Sequence, residues 1–309
     1  RAANFVWSCS NGNYLYWFHN HGGRFIGELG ANGKEGRSPY DDRNPAWLMA
    51  GREIDTPNGK MTEWSQPEIL LYDDDPYIRM SYPDLVEEKD GFYITETQKT
   101  IGRTHLIPAP LLDGLFQQWT LHRVATNGLI LNLSAPLPKQ VVMPKLPRLN
   151  QRDYKSEDQR GIDLRTGFSI DFSLKLTALT PHQALLDSRD ATGKGILVAT
   201  AEHGALRIVL NDGRTECAWS SDPRLFTEGK RHHVTITVDG GPKIITFVVD
   251  GILCDGGDDR QFGWGRFSPN LRTPDGAAML SIAPGIQSLR LYNRALRTSE
   301  AVGNYRAGL

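Results

Sequence analysis

Short runs in which apolar and polar residues alternate, each closed by Gly, Asn, Asp or Pro, make up most of this chain. A period of two puts successive side chains on opposite faces of a strand. Helix-type periodicity is scarce, so the pattern predicts an all-β protein. Residues 14–21 form the first clear run, with Leu15, Trp17, His19 and His21 on one face and Tyr14, Tyr16 and Phe18 on the other. Gly22 and Gly23 close it, and a Gly-rich stretch over 27–36 reads as a long loop. Residues 43–50 are followed by a turn over 55–60 that holds Asn58-Gly59, a strong hairpin signal. Two further strands, over 63–72 and 79–85, are joined by an acidic turn at Asp73, Asp74 and Asp75. Pro83 fixes φ and lacks an N–H, which places Tyr82 where a strand meets a loop. Residues 91–98 read as another strand, and 108–119 as one short helix begun at its prolines.

Three segments follow from this pattern. Residues 1–120 hold the aromatic-rich strands. Residues 121–153 read as an extended linker, because Pro136, Pro138, Pro144 and Pro147 do not suit a strand ladder. From 154 to 309 the strands recur at regular spacing, over 167–176, 195–200, 205–210, 233–238, 244–249 and 288–292. Turns at Asn211-Asp212-Gly213, Asp239-Gly240-Gly241 and Asp250-Gly251 separate several of them, which is the sequence form of a two-sheet jelly roll. His232 and His233 are neighbours on a strand, so they face opposite ways and read as structural.

Composition narrows the function. Lys plus Arg is 35 and Asp plus Glu is 36, without the basic excess that a broad nucleic-acid surface needs. No apolar run reaches the roughly 18 residues of a membrane helix, so no membrane span is expected. The chain carries no signal-peptide pattern and opens almost directly into Asn4-Phe5-Val6-Trp7, which reads as a cut inside a domain. Cys217 and Cys254 lie in one segment; they either pair or stay as two buried thiols. Asp255, Asp258 and Asp259 form an acidic cluster, either a calcium site built on oxygen ligands or a solvated loop.

Two resemblances add to this reading. Gly167-Phe168-Ser169-Ile170, Lys230-Arg231-His232-His233-Val234-Thr235-Ile236, Phe247-Val248-Val249-Asp250-Gly251 and Ser288-Leu289-Arg290-Leu291-Tyr292 resemble, in order and spacing, the laminin-G-like and concanavalin-A-like jelly rolls. That resemblance implies glycan or protein binding, in some members through calcium. The first segment resembles the last blades of a sialidase-type β-propeller of the bacterial-neuraminidase-repeat kind. The carrying residues are a degraded Asp-box turn from Asp55 to Trp64, then Ser65-Gln66-Pro67, Ser81-Tyr82-Pro83 and Asp90-Gly91, with Asn20, Arg43, Pro45 and Leu48 before them.

By the second resemblance Arg43 is the last of three arginines that grip a substrate carboxylate, a task suited to a planar guanidinium with two parallel N–H bonds. Tyr82 is the nucleophile, since a neutral phenol approaches an anionic sugar without the repulsion a carboxylate would meet, and Glu96 orients an arginine. His19, His21, Arg52 and Arg79 are candidate substrate contacts. For each there is a plainer reading: aromatic packing for the two histidines, surface ion pairs for Arg52 and Arg79, a loop arginine paired with Asp41 or Asp42 for Arg43, and a core tyrosine at a strand entry for Tyr82. The chain departs from the family where Pro83 stands in place of the usual Ser. The family's first arginine, acid/base Asp, tyrosine-activating Glu and second arginine all belong upstream. Some 120 residues supply roughly two blades, and a propeller needs at least four.

The expected architecture is therefore the last blades of a sialidase-type propeller plus a β-sandwich jelly roll. The expected function is part of a secreted or extracytoplasmic exo-glycosidase acting on acidic glycans, needing no cofactor beyond the possible calcium. The missing propeller segment, or a second chain, would complete the ring. The alternative is a non-catalytic glycan-binding or adhesive protein on the same fold.

Overall fold

The computed structural model describes residues 4–20, 43–73, 75, 78–98, 101–149 and 166–308. Strands dominate it, as the alternating pattern requires. The first five are β1 (Phe5–Ser8), β2 (Tyr14–Phe18), β3 (Ala46–Thr56), β4 (Gly59–Trp64) and β5 (Glu68–Leu71). They form one antiparallel sheet around the long β3. One edge of β3 pairs with β2; the other takes β4 along its second half and β5 along its first. The β3–β4 hairpin turns at Pro57-Asn58, and Gly59 has φ +108°, a conformation that favours glycine. Leu15, Trp17 and His19 are buried on one face of the β2 stretch, as the alternation predicts, while Tyr16 and Phe18 stack on the other at 5.3 Å. His21 and the 27–36 loop lie outside the described residues.

A three-stranded meander follows: β6 (Ser81–Glu88), β7 (Gly91–Gln98) and β8 (Ile101–Leu106). The expected helix is α1 (Ala109–Gln117), with Pro108 at its N-cap. Its Leu111, Leu112 and Leu115 complete a core with Leu15, Trp17, Leu48, Met80 and Ile94, so the helix joins the two sheets. Among the described residues neither sheet closes into a ring.

The expected linker is corrected by the structure. Residues 121–153 contain β9 (Leu129–Ser134) and β10 (Gln140–Val142), which pair into the two sheets of the second unit. Each lies at a sheet edge, and Pro136 and Pro138 fall between them, where no ladder N–H is needed. Then come β11 (Gly167–Lys175), β12 (Ala184–Asp187), β13 (Gly195–Ala201), β14 (Ala205–Asn211), β15 (Glu216–Ser220), β16 (Arg231–Asp239), β17 (Ile244–Val249), β18 (Ile252–Leu253), β19 (Gly265–Arg266), β20 (Met279–Ile282) and β21 (Ile286–Tyr292), and the helix α2 (Thr298–Ala307). One sheet has the order β10-β20-β12-β13-β14-β15; the other runs β18-β17-β16-β11-β21-β9, with β19 also on β17. Both are antiparallel, and they enclose a core that includes Phe168, Phe172, Val198, Ile208, Ile236 and Phe247.

The outer side of β11 is polar yet buried, because α2 covers it. Asp171 accepts from Thr235 Oγ1 at 2.8 Å, Asn304 Nδ2 at 3.0 Å and Arg290 Nη1 at 2.9 Å, and meets His233 Nε2 at 3.1 Å. Neighbouring His232 faces the other way: its Nδ1 lies 2.7 Å from Asp250 Oδ2, and its Nε2 accepts from the Thr227 N–H at 3.1 Å. The two histidines are thus structural, on opposite faces, as period two requires.

Candidate functional site

The Tyr82 region is built by a β-bulge. Between Ser81 and Asp84 the β6 strand holds one more residue than β7 opposite it, since Ser81 pairs Thr97 and Asp84 pairs Thr95. Tyr82 and Pro83 fill the bulge. Tyr82 takes φ +49°, left-handed backbone that a bulky residue rarely adopts, and its side chain is 67% exposed. One residue away, Ser81 Oγ accepts from Arg43 Nη1 at 2.7 Å. The backbone closes the same corner: Met80 N–H donates to the Arg43 carbonyl at 3.3 Å, and His19 Nε2 lies 2.9 Å from the Met80 carbonyl. Arg43, Ser81, Tyr82 and His19, far apart in sequence, therefore meet at one corner of the first unit.

Glu96 is buried on β7 behind this corner. Its Oε1 lies 3.7 Å from Arg103 Nε and 3.5 Å from His105 Nε2, both on the neighbouring β8. Arg103 also reaches Asp73 Oδ2 at 3.2 Å. The arginine beside Glu96 is thus Arg103, a residue that sequence reasoning passed over. Cross-strand register was the missing signal, because it sets Arg103 opposite Glu96.

The remaining candidates are dispersed. Arg52 pairs across the hairpin with Glu63 at 2.7 Å and stacks over Trp119 at 4.8 Å. Arg79 is half-buried in the segment between β5 and β6. In the second unit, Asp259 pairs with Arg224 at 2.6 Å and Asp255 Oδ1 accepts from the Gly257 N–H at 2.8 Å. Among the described residues no group of three or more His, Cys, Asp or Glu converges as a metal site, and Asp255, Asp258 and Asp259 are all exposed. Cys9, Cys217 and Cys254 are free thiols.

The two units meet in a second region of chemical interest. Trp47 and Ile244, Val248, Leu253, Trp264 and Ala301 form its apolar contact. Beside it, the buried Glu68 of β5 accepts from Thr298 N–H at 3.0 Å, Ser299 N–H at 2.8 Å and Ser299 Oγ at 2.8 Å, capping the N-terminus of α2. Burial pushes its carboxyl upward, and the three donors offset only part of that. Gln66 and Gln118 clasp each other, Gln66 Oε1 accepts from the Leu253 N–H at 2.9 Å, and Arg306 donates to the Gln118 carbonyl.

Residues 150–301 match the family model of the concanavalin A-like lectin/glucanases superfamily, of laminin G type. Over those residues the chain is similar to that superfamily, and its two packed antiparallel sheets have the sandwich form that the strand order indicated. Nothing among the curated proteins matches the sequence. Among solved structures, the CBM40 of the Ruminococcus gnavus IT-sialidase bound to α2,3-sialyllactose is 14% identical, with a TM-score of 0.36, covering 45% of this chain and 82% of its own. The same CBM40 bound to α2,6-sialyllactose gives 12% identity and a TM-score of 0.37, covering 57% and 98%. The leech intramolecular trans-sialidase complexed with 2,7-anhydro-Neu5Ac gives 15% identity and a TM-score of 0.34, covering 60% and 29%. No helix among the described residues is long and apolar enough to cross a membrane.

Proposed function

We propose that this chain belongs to a secreted or extracytoplasmic carbohydrate-active protein, an exo-glycosidase of sialidase type acting on acidic glycans, whose jelly roll holds glycan. Tyr82 carries the reading: an exposed phenol on left-handed backbone, one residue from the serine that Arg43 grips. Unfavourable backbone concentrates at functional sites, where surrounding structure maintains it. Arg43 would take the substrate carboxylate in two parallel N–H bonds. The Tyr82 oxygen would form a bond to the anomeric carbon as the glycosidic C–O bond breaks. The phenol proton would pass to a base, and the leaving oxygen would take a proton from an acid. By the family resemblance, both of those groups lie in the segments or chain that complete a propeller ring.

The test is turnover of a fluorogenic sialoside by the protein at its natural length. Tyr82→Phe is expected to lose turnover while sialoside binding persists, and Arg43→Ala to weaken binding. Unchanged turnover in Tyr82→Phe would remove the nucleophile from the mechanism. A second reading, glycan binding without chemistry, is favoured by Pro83 and by the Tyr82 hydroxyl itself. Among the described residues no base is hydrogen-bonded to that hydroxyl, and a nucleophile needs one. That reading predicts saturable glycan binding with no turnover at any length of the protein.

A further inference from the structure

The junction between the two units holds a groove of about 240 Å³ that the Tyr82 chemistry does not use. Three aromatic side chains from three parts of the chain line it: Trp64 at the end of β4, Trp119 just after α1, and Tyr305 on α2. Two of these rings lie on glycine. A Cβ at Gly51 would stand 2.8 Å from the Trp64 ring, and one at Gly251 would stand 2.6 Å from the Tyr305 ring. Bare backbone under each ring lets it lie low at the groove. Trp64 remains 37% exposed, and Arg52 stacks over Trp119.

The polar groups around these rings are of both signs and mostly planar. Glu63, Asp250 and Arg306 also line the groove. The Tyr305 hydroxyl reaches solvent, and among the described residues neither it nor the Trp64 indole N–H forms a hydrogen bond. Flat apolar rings bordered by hydrogen-bonding groups complement a pyranose, which presents a C–H face and an edge of hydroxyls. The volume falls below that of pockets for drug-sized ligands, so it suits a single sugar ring. Glu63 and Asp250 would repel a phosphate chain, which disfavours a nucleic acid.

We infer that this junction groove is a sugar-binding subsite for one pyranose unit of a glycan, with Trp64 as its stacking platform. The inference rests on the reading of the chain as glycan-binding and places one such contact at the seam. Its walls come from both units: Glu63 and Trp64 from the first sheet, Asp250 and Gly251 from the β17–β18 turn, and Tyr305 from α2. An occupying sugar bridges the units and raises the temperature at which they unfold, because only the docked state binds it.

The test is titration calorimetry and thermal unfolding of the whole chain with the methyl glycosides of glucose, galactose, mannose and N-acetylglucosamine, and with α2,3-sialyllactose. At least one probe is expected to bind and to raise the unfolding temperature. Trp64→Ala should weaken that probe by about tenfold, the loss of one stacked ring, and Trp64→Phe should retain most of the affinity. Ile252 is 63% exposed at the rim, so Ile252→Trp fills the groove without touching the core and should abolish binding. A probe that binds both Trp64→Ala and Ile252→Trp as tightly as the parent overturns the groove assignment and leaves the glycan-binding reading standing. A chain that binds none of the probes overturns both.

Discussion

Glu68 is where one side chain holds the two units together, and its removal can be worked through. Its two oxygens serve three donors at the start of α2, more than 220 residues away in sequence. In Glu68→Ala, two helix N–H groups and the Ser299 hydroxyl lose their acceptor. A buried donor left unpaired costs ~1–3 kcal/mol, and loss of a helix N-cap costs ~1 kcal/mol. Full additivity would overstate the loss, because Glu68 lines a cavity of about 330 Å³ through which water can reach the vacated donors. The expected destabilisation is therefore ~2–4 kcal/mol.

Urea unfolding followed by tryptophan fluorescence is the assay, since Trp47 and Trp264 lie 6.5 Å apart at this contact and report its separation. The sign of the pH dependence also follows. Burial raises the folded-state carboxyl above its unfolded value, so the stability tied to its protonation is present below the unfolded value and fades as pH rises through the folded one. Glu68→Gln, which never ionises, should therefore gain on the parent as pH rises above the unfolded carboxyl range, until the raised folded carboxyl has ionised. An alanine variant within ~0.5 kcal/mol of the parent would refute the idea that Glu68 anchors α2.

Four other outcomes follow from the structure. Asp171→Ala leaves Arg290 and His233 buried without their carboxylate, so it should destabilise by ~3–5 kcal/mol in the same urea assay. Burial works to raise the Asp171 carboxyl, but His233, Thr235 and Asn304 outweigh it and hold it low. The parent's stability advantage over Asp171→Asn should then be present above the unfolded carboxyl range and shrink as pH falls through the lowered value. Tyr82→Asn relieves left-handed backbone at an exposed side chain, so it should leave stability unchanged or raise it by up to ~1 kcal/mol; a clear loss would show that the tyrosine ring packs. Burial pushes the Cys217 and Cys254 thiols up to about 12 and Cys9 up to about 11, so iodoacetamide at neutral pH should label all three only after unfolding, as read by mass spectrometry.

Much of the architecture was legible along the chain. Period-two alternation located the long strands of the sandwich, the opposed directions of His232 and His233, and the buried face of Leu15, Trp17 and His19. Proline placement located α1, and Asn58-Gly59 located the β3–β4 hairpin. Each of these depends on neighbours a few residues apart, which is the range that local pattern covers. The order of Arg43, Ser81 and Tyr82 suggested a shared site, and the fold does bring Arg43 and Ser81 into hydrogen-bond contact. Sequence had no means to show that Tyr82 sits in a bulge, because a bulge is defined only by the strand opposite.

Tertiary structure decided the rest. Residues 129–134 alternate as a strand does, yet the prolines that follow them suggested a linker. Only the open edge of β21 made them part of a sheet. Glu68 is one acid in an apolar run until a distant helix supplies its donors, and Arg103 becomes the partner of Glu96 only through strand register. Trp64, Trp119 and Tyr305 are scattered aromatics in sequence and one groove in space. Such features consist of contacts between residues far apart along the chain, and those contacts exist only once the whole chain has folded and its surfaces have been buried against one another.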